Sequence, residues 1–155
     1  MADLEPHTTT AFTYIPAPYP GAPAFQFQLT RLTDTLLVWV GTGGPAAAED
    51  DDDAPGAGGA EKNKRLASDW AVAMPSRGNI PTTATPIFRS GATDTALHMA
   101  QRLSKRFPPN QIHLSLSLPS NLTAPAGPGL DPYASKALLV MEKKLVAWLT
   151  EELKE

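Results

Sequence analysis

Residues Phe25 to Gly41 constrain the fold more than any other stretch, because they set a half-buried strand beside one that is apolar on both sides. Phe25, Phe27 and Leu29 alternate with Gln26, Gln28 and Thr30, the period of two that puts every second side chain on the same face of a sheet. After a polar turn at Thr33 and Asp34, Leu36, Val38 and Val40 alternate with Leu37 and Trp39. Neither face of that second strand suits water, so both need cover. A chain of 155 residues has room for few helices, and the expected remedy is a partner subunit.

The same periodicity supplies the other elements. Between Leu66 and Met74, Trp70, Val72 and Met74 share one face of a strand while Ala71 and Ala73 share the other, and Pro75 stops it. Ser76, Arg77, Gly78 and Asn79 read as a turn, followed by a short strand over Thr82 to Phe88 that Pro86 weakens. A helix is expected to start at Thr93 or Asp94, with a side-chain oxygen as cap, and to run to about Arg106 before Pro108 and Pro109. Ile112, Leu114, Leu116 and Leu118 against His113, Ser115 and Ser117 make the most one-sided strand of the chain. Asp131 before Pro132 signals a last helix reaching Leu153, with Leu138, Met141, Leu145, Trp148 and Leu149 on one broad face as the main cover of the sheet.

The fold class that follows is α+β, an antiparallel β-sheet of about five to six strands packed with two main α-helices. Residues 1–23, rich in proline and threonine, are expected to be a flexible arm carrying two tyrosines, Tyr14 and Tyr19. Residues 24–155 form a single domain, interrupted at about 43–65 by a segment of Ala, Gly, Pro and charge. That segment has too little apolar surface to offset its ordering entropy and reads as a disordered acidic insertion.

Catalytic chemistry finds no foothold in the sequence. A net charge of -3 and a pI near 5.6 give no general attraction to nucleic acid or an anionic membrane. Without cysteine there is no thiolate nucleophile or disulfide framework. The first residues lack the basic start and apolar core of a signal peptide, and no apolar run approaches the roughly 20 residues that span a bilayer. The expected setting is the cytoplasm or nucleus. Gly41-Thr42-Gly43-Gly44 follows a strand but lacks a P-loop lysine, and Glu49 to Asp53 lacks the spaced ligands of a calcium loop. His98 and His113 show no metal-binding spacing, and no serine sits in a nucleophile elbow. Asn121-Leu122-Thr123 matches the glycosylation sequon by chance, and Arg102, Lys105 and Arg106 suit a helix C-terminus. The expectation is no catalytic site, no cofactor and no metal.

Several of these blocks, taken in order, resemble a known family. Arg31-Leu32-Thr33-Asp34-Thr35-Leu36-Leu37-Val38-Trp39-Val40-Gly41 is followed by Ala71-Val72-Ala73-Met74 with Ser76-Arg77, by Ile80-Pro81 and by Ala100-Gln101-Arg102-Leu103. In this order and spacing they resemble the proteasome assembly chaperone 4 family, with a looser likeness at Leu138-Leu139-Val140 and Glu142. The resemblance implies a small α+β fold, a heterodimer with the third proteasome-assembly chaperone, and action on α-type subunits while the α-ring of the 20S core particle forms. It implies no enzymatic activity. Arg31, Asp34, Ser76 and Arg77, at strand ends and turns, are the candidates for facing an α-subunit, although Asp34 would also suit turn chemistry alone. Trp39, in the strand that is apolar on both sides, is a further candidate for partner binding. A dimeric adaptor of another complex is the second reading and a small nucleotide-binding enzyme the third. Co-purification of α-ring precursors separates the first two, and stabilisation by a nucleotide would favour the third.

Overall fold

The computed structural model describes residues 8–43, 66–91, 93–123 and 133–154. Six strands, β1 (Thr9–Ile15), β2 (Phe25–Leu32), β3 (Thr35–Thr42), β4 (Asp69–Met74), β5 (Thr83–Arg89) and β6 (Gln111–Ser117), make one sheet in the order β1, β2, β3, β6, β4, β5. Helix α1 (Thr95–Arg106) connects β5 to β6, the short α2 (Ser120–Thr123) follows, and α3 (Ala134–Glu152) closes the chain. The fold is α+β, as the alternation predicts.

Two features differ from the sequence-based picture. The sheet is mixed and not purely antiparallel, because β6 enters between β3 and β4 and runs parallel to β3, with Val38 opposite Leu114. Parallel pairing needs a crossover, and the stretch from β4 through α1 supplies it, whereas alternation in β6 says nothing about direction. The expected flexible arm contains β1, in continuous register with β2 from Thr9 opposite Arg31 to Ile15 opposite Phe25. Proline density misleads there: the prolines stand at 6, 16, 18, 20 and 23, outside an uninterrupted run that is mostly β-branched and aromatic. Tyr19 is also tied down, with its hydroxyl donating to the Tyr133 carbonyl and Lys136 Nζ 5.0 Å from the centre of its ring. Of the expected disordered insertion, residues 44–65 lie outside those described, as do the Asp131 and Pro132 of the expected helix start.

Both long helices lie against the same sheet face. The core is built from Phe25, Phe27 and Leu29 of β2, Leu36, Val38 and Val40 of β3, Ile112, Leu114 and Leu116 of β6, and Ala71 and Ala73 of β4. Met99 and Leu103 of α1 and Met141, Leu145 and Leu149 of α3 close over them. The small alanines of β4 let α1 approach closely, so cover is shared between two helices and not left mainly to α3. Leu138 and Trp148 flank the α3 stripe half-buried, and Ala137 takes a central position instead. A bidentate ion pair from Arg102 of α1 to Glu142 of α3, at 2.6 and 2.8 Å, joins the helices side by side. The N-terminus of α1 has no side-chain cap; Asp94 pairs with Arg89 and the Thr93 hydroxyl donates to the Thr123 carbonyl.

Candidate partner interface

The face turned away from α1 and α3 carries no helix among the described residues. Register fixes what stands on it. Phe12 lies opposite Gln28, Gln28 opposite Trp39, Trp39 opposite Ser115, Ser115 opposite Trp70 and Trp70 opposite Phe88, a row across all six strands. Leu37, His113 and Val72 make a parallel row one step along. Phe12 is 72% exposed and Phe88 50%, while Tyr14 of β1 adds a further open aromatic ring. Aromatic side chains standing together on an uncovered surface mark an interaction site. The second apolar side of β3 is therefore real, and half-buried in the free chain.

Trp39 shows how the face is shaped. Its ring folds back over Gly41, so close that a Cβ at position 41 would collide with it. Its indole Nε1 donates to the Leu66 carbonyl at 3.0 Å, and the Ser115 hydroxyl donates to the same oxygen at 2.7 Å. A strand glycine commonly marks such a close approach. Further along, the Trp70 and His113 rings stand 6.3 Å apart, and neither Trp70 Nε1 nor His113 Nδ1 has a hydrogen-bond partner. Burial lowers the His113 pKa, which favours the neutral imidazole. His98 is exposed on α1, and the described residues hold no group of three or more side chains able to bind a metal.

Arg31, Asp34, Ser76 and Arg77 lie toward the same end of the sheet. The pairing of Thr35 with Gln111 and of Ala73 with Ile112 places the β2–β3 and β4–β5 turns at the same end. Asp34 adopts φ 56, a left-handed conformation that Asp tolerates, and its carbonyl accepts from the Gln111 amide at 2.9 Å. Arg77 and Ile80 exchange backbone bonds at 3.0 and 2.9 Å around Gly78, also at φ 56. Arg31 donates to the Glu152 carbonyl at the end of α3, while Ser76 and Arg77 are exposed. Trp39 does not join this group; it lies on the open face, toward the opposite end. Sequence reasoning missed Phe12, Tyr14 and Phe88 as members of that face. The alternation of Phe12 and Tyr14 with Ala11, Thr13 and Ile15 was the signal that could have found the first two.

At the far end Asp69 is buried with its Oδ1 unpartnered. Burial raises its pKa, against a Ser90 backbone hydrogen bond and the nearby Arg89, which lower it. The folded chain then binds this proton more tightly than the unfolded chain, so stability falls as pH rises from the ordinary carboxylate range through the raised folded value. Asp69→Asn keeps the shape without the charge. It should be more stable than the parent at about pH 7 and lose that advantage as pH falls into the ordinary carboxylate range, measured by urea unfolding across that span. A pH-independent difference would contradict the account.

The family model for proteasome assembly chaperone 4 matches residues 24–118, a span that takes in β2 to β6 with α1 and leaves β1 and α3 outside. No curated protein matches the chain.

Proposed function

Because this chain belongs to the proteasome assembly chaperone 4 family, we propose that it is a non-enzymatic chaperone that pairs with the third proteasome-assembly chaperone and promotes formation of the 20S α-ring from α-type subunits. The observation that supports pairing is the sheet face that carries no helix among the described residues, with Phe12, Trp39, Trp70 and Phe88 in one row. A partner sheet laid on that face would bury the second apolar side of β3 and leave the polar end at Arg31, Asp34, Ser76 and Arg77 free for an α-subunit. That division suits a transient chaperone, whose lasting contact is apolar and whose client contact is more polar. No cofactor enters the reading, and the cytoplasm or nucleus is its setting.

Co-expression tests it. The chain alone should be poorly soluble or self-associating, and with its partner it should elute as an equimolar complex by size exclusion with light scattering. The complex should retain α-type subunits from a lysate, and Arg77→Glu with Asp34→Lys should weaken retention at least about tenfold without disturbing the equimolar pair. A well-behaved monomer that binds neither partner would overturn the proposal.

A further inference from the structure

The two edges of the sheet are treated differently. At β5 the edge is interrupted: Pro86 has no N–H to offer, and the register slips between Trp70 and Ala71. Proline and bulges are the usual means of keeping a sheet edge from pairing. At β1 neither device is present. Its seven residues, Thr9 to Ile15, run in unbroken register with β2, without proline, charge or bulge, and no described strand occupies its outer side. The strand is composed of threonine, aromatic, alanine and isoleucine residues, the composition that favours addition of another strand.

We propose that the outer edge of β1 pairs antiparallel with β1 of a second copy of this chain, joining the two six-stranded sheets into one. The strand is suited to itself. With Phe12 opposite Phe12 of the copy, Thr10 faces Tyr14, Thr9 faces Ile15 and Ala11 faces Thr13. These are mostly β-branched and aromatic cross-strand pairs. Since the strand is uncharged, no like charges meet across the two-fold axis, and a charged foreign segment would find no complement on it. Phe12 and Tyr14, at 72% and 43% exposure, would stand with their copies in one aromatic line continuous with the open face. This contact uses the edge and leaves that face available to a different partner.

Absence of cysteine makes the test direct. Cross-strand Cβ atoms stand about 4.5–5.5 Å apart, near the reach of a disulfide, so Phe12→Cys should link copies under mild oxidation. The rate should exceed that of Ile80→Cys, an exposed control on the β4–β5 turn, at least about tenfold. Phe12→Lys, placing two cations on the axis, should weaken self-association of the full chain at least about tenfold by sedimentation. Phe88→Lys, on the open face at the far edge, should leave the rate of linking unchanged when added to the Phe12→Cys variant. Linking no faster than at Ile80→Cys would overturn the proposal. So would loss of linking on Phe88→Lys, which would assign self-association to the open face instead.

Discussion

Leu114→Ala should lower the unfolding free energy by about 3 to 5 kcal/mol, since it empties a fully buried site that has little freedom to collapse. Leu114 is 0% exposed at the centre of β6, opposite Val38 on one side and Ala71 on the other. β6 alone joins the β1–β2–β3 meander to the β4–β5 hairpin, so a cavity there loosens both halves at once. Against a typical stability of about 5–15 kcal/mol, such a loss removes a fifth or more. Ser115→Ala, one residue along, forfeits only the hydroxyl bond to the Leu66 carbonyl and should cost about 1 kcal/mol. Urea midpoints at unchanged slope measure both. Equal effects would mean that the two faces of β6 are equally packed, contrary to the two-layer arrangement.

How far the sequence disclosed this molecule depends on which kind of signal each part carries. Period-two alternation located β2, β3, β4 and β6 because each of these strands has one face in the core, and burial writes itself into every second residue. Strand direction carries no such mark. Ile112, Leu114 and Leu116 look the same parallel or antiparallel, so the mixed junction between β3 and β6 was hidden. β1 was obscured differently: its core-facing residues, Ala11, Thr13 and Ile15, are small or half-buried, as expected at an edge, and prolines follow directly. The absent cap at α1 shows the limit of local rules, since the Asp94 carboxylate that would serve the first turn is taken by Arg89. Of the candidate site, the placement of Arg31, Asp34, Ser76 and Arg77 toward one sheet end needed the register, which brings two distant turns to that end. The open face was half legible, because β3 announced two apolar sides while Phe12 and Phe88 belong to strands whose patterns are weaker.

Trp39→Ala should separate folding from pairing, and its larger effect should fall on pairing. In the free chain the ring is half-buried, resting over Gly41 with its Nε1 on the Leu66 carbonyl. The full 3 to 5 kcal/mol expected for a completely buried aromatic is therefore not available to the monomer. About 1 to 2 kcal/mol is, from the partial apolar contact and one hydrogen bond. If the uncovered face is where the third proteasome-assembly chaperone docks, the remaining surface of the ring is buried only in the complex. Aromatic residues near the middle of an interface are the ones whose truncation costs about 2 kcal/mol or more, roughly a thirtyfold loss of affinity. Denaturation of the isolated chain and titration with the partner supply the two numbers. A folding loss of full size with affinity untouched would make Trp39 a core residue of the monomer. The docking surface would then have to be sought away from Trp39, first at the sheet end around Arg31 and Arg77.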